Sequence, residues 1–359
     1  MSPLGKRLAR RIRLQGPISI ADFMAEALGH PKYGYYMRGD PLGRAGDFIT
    51  APEISQVFGE LIGLWCAEIW RLMDRPHPFN LVELGPGRGT LMQDALRAAR
   101  VLPGFGEAAR LQLVETSPAL RAVQATTLAA HAPAWCDDVT RIADGPLIVI
   151  ANEFFDALPI RQFQRAEDGW RERLVGVDGD RLRMTVTPSA SPAAALIPET
   201  VRQSQTLGAI AEVSPASLSL VAQIAERIDA DGGAALIVDY GHGLPAPGDT
   251  FQAVRGHEPQ DVLDDPGLAD LTAHVDFAAL AEAARPHAAV YGPLPQGELL
   301  RRLGIEMRQR QLTDGTDPDQ RKAIETACRR LIDPSEMGTL FKALALCHRD
   351  MAAPPGFEG

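Results

Sequence analysis

The stretch Leu81-Val82-Glu83-Leu84-Gly85-Pro86-Gly87-Arg88-Gly89-Thr90 decides how the rest of the chain reads. Its apolar start predicts a buried strand. Its three glycines predict a turn that takes positive φ and admits a ligand against bare backbone, with a helix following over Leu91–Ala99. A nicotinamide dinucleotide fingerprint requires G-x-G-x-x-G, whereas these glycines are spaced G-x-G-x-G and position 90 is threonine. Glu83, just before the first glycine, would repel a pyrophosphate but attract an ammonium and a sulfonium. The combination points to S-adenosylmethionine, with Glu83, Gly85, Gly87 and Gly89 as candidate contacts. The plain alternative is a tight strand-to-helix turn with no ligand.

The same strand-then-acid logic recurs downstream. Leu111-Gln112-Leu113-Val114-Glu115 ends in a carboxylate placed to accept hydrogen bonds from both ribose hydroxyls, and a helix follows at about Pro118–His131. In Asp137-Asp138-Val139, Asp138 suits an exocyclic adenine amine better than Asp137 does, and Val139 suits the face of its ring. Pro146-Leu147-Ile148-Val149-Ile150-Ala151 reads as a fully buried parallel strand that opens into Asn152-Glu153-Phe154-Phe155-Asp156-Ala157-Leu158-Pro159. The carboxyl end of such a strand is where ligands and chemistry gather in an open α/β sheet.

In front of the glycine turn, Thr50-Ala51-Pro52-Glu53 has capping-box spacing with proline in the first turn. Apolar residues at 57, 58, 61, 62, 65 and 69 then predict one long packed helix. The start of that helix, beside the loop Gly39–Phe48, puts Thr50, Pro52 and Ser55 where they border the cofactor or serve only as a helix cap. After Pro159, strands at Gln162–Arg165 and Trp170–Val177 lead through Asp178-Gly179 into alternating Leu182, Met184 and Val186, a β-hairpin addition. Residues 188–195 have linker composition. A helix over Ser217–Ile228 and the strand Ala234–Gly241 return to the core. The stretch Thr250–Ala273 has no clear period and reads as substrate wall, with Arg255, His257 and His274 on it or beside it. Later elements are expected at Ala288–Tyr291, Gly297–Leu303, Arg321–Leu331 and Leu340–Leu346.

Composition restricts the partners. A chain of 359 residues exceeds one ordinary compact domain, so a core with an inserted lobe is expected. Cys66, Cys136, Cys328 and Cys347 form no C-x-x-C pair, which fits reduced cytosolic thiols better than a disulfide framework or zinc site. Cys347-His348 lacks further ligands at supportive spacing, so no metal is expected. A net charge of −10 disfavours a nucleic-acid binder and suits a cationic substrate. No apolar run approaches the roughly 18 residues of a membrane span, which leads to an expected cytoplasmic location. The basic, amphipathic segment Lys6–Arg13 reads as a surface helix, with a transit peptide as the alternative. No pattern specifies an oligomeric state.

The runs Gly46–Glu60, Leu81–Thr90, Asn152–Pro159 and Val238-Asp239-Tyr240-Gly241 resemble those of the MidA family, from about His30-Pro31-Lys32-Tyr33-Gly34-Tyr35-Tyr36 to the C-terminal strands. The resemblance implies an α/β fold: a Rossmann-like class I methyltransferase sheet with helices on both faces, plus an N-terminal helical segment and an inserted α+β lobe. The expected division is an N-terminal helical segment and cofactor lid at 1–75, the first half of the cofactor-binding core at 76–160, the inserted hairpin and linker at 161–205, and the second half of the core at 206–359, with a substrate-wall insertion at 250–275. It also implies S-adenosyl-L-methionine as cofactor and, from the family's mitochondrial members, methylation of an arginine on a subunit of respiratory complex I in aid of its assembly.

For a guanidinium acceptor, a carboxylate can bind the fork bidentately and localise its charge. Glu153 is the first candidate, Asn152 orients the acceptor nitrogen or the methionine end of the cofactor, and Asp156 supports from behind. Glu212 and Asp239 are further candidates, with helix-capping or surface roles as the plain alternative. In His274-Val275-Asp276, the aspartate reads as a helix cap rather than the partner of a catalytic histidine. Two other functions stay open: methylation of a small molecule or base, for which the tetrad Asn-Pro-Pro-Tyr is missing at Asn152–Phe155, and a cofactor-binding assembly chaperone without catalysis.

Overall fold

In this computed structural model, which describes residues 1–38 and 50–358, the glycine turn leaves the end of a fully buried strand, β1 (Phe79–Leu84). The expected loop Gly39–Phe48 lies outside the described residues. Along one hydrogen-bonded path of its sheet, β1 is joined among the described residues by β2 (Ala109–Val114), β3 (Ala134–Cys136), β4 (Leu147–Asn152), β5 (Gly233–His242), β6 (Ala289–Pro295) and β7 (Phe341–Cys347). Their order is β6-β7-β5-β4-β1-β2-β3. The β1–β2, β2–β3, β1–β4 and β4–β5 pairs are parallel, while β7 runs antiparallel to both neighbours. The chain winds outward from β1 to β3, then returns to β4 and winds the other way. This doubly wound α/β order opens a crevice between the carboxyl ends of β1 and β4, the usual ligand position in such sheets.

The sheet belongs to the second of two compact units, formed by residues 49–154, 220–241 and 280–359. Its core packs Trp65, Phe58, Leu61 and Ile69 of the helix Gln56–Leu72 against Met92, Ala95 and Ala99 of the helix Thr90–Ala99 and against Leu81, Ile148 and Leu236 of the sheet. The two helices approach closely because position 63 is glycine: a Cβ there would lie 2.2 Å from the Ala95 carbonyl oxygen. Truncating a side chain as buried as Trp65, 1% exposed, costs about 3–5 kcal/mol.

The single long helix expected from Thr50 is divided. A one-turn helix, Ala51–Ile54, ends at Ser55, whose extended backbone (φ −154°, ψ 131°) breaks the ladder. The Ser55 side chain then caps a second helix by accepting a hydrogen bond from the Val57 N–H. Glu53 does not complete a capping box, because its carboxylate is engaged by the Thr90 hydroxyl at 2.7 Å.

The other unit comprises residues 1–48, 155–219 and 242–279. Amphipathic helices Pro3–Gln15 and Ile20–Gly29 bury Leu4, Leu8, Ile12, Phe23 and Met24 in its core. The hairpin Gly169–Asp178 with Arg181–Val186 forms as expected but turns one residue later than Asp178-Gly179: Asp178 pairs with Arg181, and the loop is Gly179-Asp180, with φ 56° at the glycine. The strand Gly169–Asp178 pairs with Ile18–Ser19 on its other edge. Within the stretch Thr250–Ala273, which shows no clear period in sequence, strands Gln252–Arg255, Glu258–Gln260 and Asp270–Thr272 pair antiparallel. No helix among the described residues is long and apolar enough to cross a membrane.

Candidate active site

The backbone of the turn is set by glycine chemistry. Gly85, Gly87 and Gly89 have φ of 59°, 53° and 82°, in the left-handed region that disfavours side chains. At Gly85 the surroundings also exclude one, since a Cβ would meet Phe154 Cδ2 at 2.6 Å. Gly89 then caps the helix Thr90–Ala99, so the turn delivers the helix N-terminus to the switch point.

Glu83 is 3% exposed, and burial pushes its carboxyl up to about 8. Its Oε2 is buried without a hydrogen-bond partner among the described residues, as is Oδ1 of Asn152. The β1–β4 register pairs Leu84 with Ala151, which puts Asn152 across from the start of the glycine turn. Buried acceptors are normally satisfied, so two orphans flanking one crevice fit a cationic hydrogen-bond donor such as the methionine ammonium of the cofactor.

Glu115 leaves the end of β2, 8% exposed, with one oxygen accepting the Ser117 N–H at 2.7 Å and the other the Gln124 amide at 3.2 Å. Burial raises its pKa against the lowering effect of these donors. Gln124, fully buried on the helix Pro118–Thr127, was not singled out from the sequence. It ties three parts of the crevice together: it donates also to the Gly87 carbonyl at 2.7 Å and accepts from Trp135 Nε1 at 2.8 Å. The only trace of this in the sequence is a glutamine at a position in helical phase with Leu120.

Asp137 and Asp138 separate cleanly. Asp137 pairs with Arg121 at 2.7 Å, whereas Asp138 is exposed and caps the turn Val139–Arg141, its pKa lowered by the hydroxyl and amide of Thr140. Val139 is buried at 8% exposure.

At the end of β4, Glu153 adopts φ 49°, an uncommon conformation for a residue with a long side chain and one that concentrates at functional sites. Its N–H donates to the Val238 carbonyl at 2.9 Å. Its Oε1 accepts from the Ala51 N–H at 2.9 Å and from Asn152 Nδ2 at 3.3 Å. Thr50 is the N-cap residue of Ala51–Ile54 without a side-chain cap bond, and Pro52 is buried in that turn. Asp239 is fully buried, accepting from the Phe154 and Tyr240 N–H groups, so it braces the chain beyond β4 as neither a helix cap nor a surface carboxylate.

The remaining candidates belong to the other unit. Asp156 is 7% exposed there, and its carbonyl accepts from the Ala273 N–H at 3.0 Å. Glu212 accepts from Gln162 Nε2 at 2.6 Å, from the Thr250 and Phe251 N–H groups and from the Thr250 hydroxyl, a clasp that holds strands together. Asp276 caps the following helix through the Ala279 N–H, and the His274 N–H donates to the Thr250 hydroxyl. Among the described residues no group of histidine, cysteine and acidic side chains is arranged to hold a metal.

Comparison with known proteins identifies the family of the chain. A family model described as "Putative S-adenosyl-L-methionine-dependent methyltransferase" matches residues 61–294. The mitochondrial protein arginine methyltransferase NDUFAF7 of Danio rerio is 42% identical, covering 94% of this chain and 85% of that protein. Its Homo sapiens counterpart is 38% identical over 96% and 83%. A superfamily member from Burkholderia thailandensis, solved with bound S-adenosyl-homocysteine, superposes with a TM-score of 0.83 at 27% identity, covering 99% of this chain and 92% of that one. The chain therefore belongs to the MidA-like family of S-adenosyl-L-methionine-dependent methyltransferases.

Proposed function

We propose that this methyltransferase is a protein arginine N-methyltransferase, with Glu153 as the carboxylate that receives the acceptor guanidinium. The observation that carries the reading is the left-handed backbone at Glu153, which fixes a carboxylate at the carboxyl end of β4 beside the buried, unsatisfied oxygen of Asn152. The arginine methyltransferases named among the relatives support the acceptor class.

S-adenosylmethionine, when bound, supplies an electrophilic methyl group on a sulfonium. In this reading Glu83 and Asn152 hold its ammonium end, the bare backbone of Gly85, Gly87 and Gly89 admits it, Glu115 accepts from the ribose hydroxyls, and Asp138 with Val139 receives the adenine. Thr50 and Pro52 border the same crevice at the short helix. Glu153 takes two N–H groups of the guanidinium, concentrates charge away from the third nitrogen and leaves that nitrogen the better nucleophile. Asn152 orients it. Asp156 enters the reading on the run Asn152–Pro159 alone. In-line transfer asks for alignment and charge placement rather than a nucleophile from the protein.

The family resemblance supports a subunit of respiratory complex I as the acceptor, with methylation aiding its assembly, and a cytoplasmic setting completes the proposal. The relatives themselves carry mitochondrial names. Methyl-labelled cofactor, incubated with this protein and extract from cells lacking it, should label arginine side chains of one complex I subunit. Label on lysine, on small molecules only, or nowhere would overturn the proposal.

A further inference from the structure

The unit formed by residues 1–48, 155–219 and 242–279 carries a cationic groove lined by none of the residues proposed to hold the methyl donor. Its helix Pro3–Gln15 holds Lys6, Arg7, Arg10, Arg11 and Arg13 and no acidic residue, on a chain of net charge −10. Leu4, Leu8 and Ile12 are buried in the unit's own core, while Arg7 and Arg10 are exposed. Spacings of three and four residues set Lys6 against Arg10 and Arg7 against Arg10 and Arg11, and such like-charge pairs weaken a helix. Arg11 is relieved by Glu26 at 3.6 Å and Arg13 by Asp180 at 2.8 Å. Among the described residues no carboxylate pairs with Arg7 or Arg10. These two, with Arg11, Leu14, Gln15 and Glu26, line a groove of about 570 Å³, in which Leu14 is 76% exposed.

We propose that this groove docks an acidic polypeptide segment bearing an apolar side chain, supplied by the protein acceptor; the source of the segment rests on the proposed function above. Its carboxylates neutralise Arg7 and Arg10, and its apolar side chain covers Leu14. Charge complementarity selects this occupant. A bilayer surface is disfavoured because the helix has already spent its apolar face on the protein core, leaving little to insert among lipids. Nucleic acid is disfavoured because Glu26 stands in the wall and no aromatic side chain lines the groove to stack a base. A concave site with arginines, one acid and one exposed leucine matches a side-chain pattern rather than a uniform anionic lattice.

The test uses the full chain and a fluorescent, arginine-free peptide of glutamates around a single leucine, read by anisotropy at physiological salt. Saturable binding is expected, weakened about tenfold or more in the double variant Arg7→Glu/Arg10→Glu. The variant Arg181→Glu/Lys322→Glu, with the same change in net charge, should bind like the parent, and circular dichroism checks that all three are folded. No binding by the parent, equal weakening in both variants, or capture of phosphatidylserine vesicles without capture of the peptide would overturn the proposal. Because the peptide carries no arginine and no methyl transfer is read, a failure here is distinct from a failure of the arginine-methylation reading.

Discussion

The Ala51 N–H donates to Oε1 of Glu153 at 2.9 Å, so the carboxylate at the end of β4 also holds the first amide of the short helix Ala51–Ile54. Glu53 of that helix receives the Thr90 hydroxyl at 2.7 Å, just past the glycine turn. One turn of helix is thereby fastened to both sides of the crevice. Glu153 has a structural contact for one oxygen and charge for a cation.

That division makes Glu153→Gln informative. Glutamine keeps an oxygen for the Ala51 amide but loses the charge that a guanidinium needs. Methyl transfer should fall on the order of 100-fold with S-adenosyl-homocysteine affinity nearly unchanged. Equal transfer rates in the variant and the parent would remove Glu153 from the chemistry.

Glu83 predicts a pH dependence of unusual sign. Burial raises its pKa from the ordinary 4.5 to about 8, so the folded, cofactor-free protein binds more protons than the unfolded chain over that window. Its contribution to stability must therefore decline as pH rises from about 4.5 to 8, by on the order of a few kcal/mol in total. Glu83→Gln should remove this slope from a urea-unfolding series. A bound ammonium favours the ionised form, so affinity for S-adenosyl-homocysteine should climb with pH below about 8, by at most about tenfold per unit. Matching profiles for variant and parent would exclude Glu83 as the titrating group.

Gln124→Leu leaves the Gly87 carbonyl, one Glu115 oxygen and the Trp135 indole without their common partner. The buried Glu115 oxygen so abandoned costs about 1–3 kcal/mol, and the half-buried Gly87 carbonyl and Trp135 indole cost less. Cofactor affinity should drop about tenfold or more as the Glu115 carboxylate loses its orientation, measured by calorimetry beside an unfolding curve. Affinity unaltered in a folded variant would show that Glu115 is oriented without it.

At Gly85, alanine meets both a φ of 59° and the Phe154 ring. Gly85→Ala should cost about 1–3 kcal/mol in stability and weaken cofactor binding, since the turn must shift to relieve the clash. Thermal unfolding and calorimetry on the same preparation separate the two effects.

What was legible in the sequence is what depends on neighbours along the chain. The run from Leu81 to Thr90 carries its strand, turn and helix in adjacent residues, and the hairpin is likewise local, although its loop falls at Gly179-Asp180, one residue past the expected turn. The break at Ser55 was hidden because the apolar spacing continues across it, while the competing partner of Glu53 is Thr90, far away in sequence. Gln124 was hidden for a similar reason: its three partners lie on the glycine turn, the end of β2 and β3. Pairing of Ile18 with Val175, and the strands within 250–273, depend on contacts that local periodicity does not encode. Glu212 was set in a candidate pocket because an acid beside a strand reads alike whether it faces a ligand or clasps Thr250.

Isothermal calorimetry with S-adenosyl-homocysteine tests most directly whether the carboxylates and bare backbone at the tips of β1, β2 and β4 form one binding cradle. Saturable one-to-one binding by the parent, weakened by Gly85→Ala and by Gln124→Leu and stripped of its pH dependence by Glu83→Gln, is the predicted result. Absence of binding in folded parent protein, or binding indifferent to all three substitutions, would contradict it.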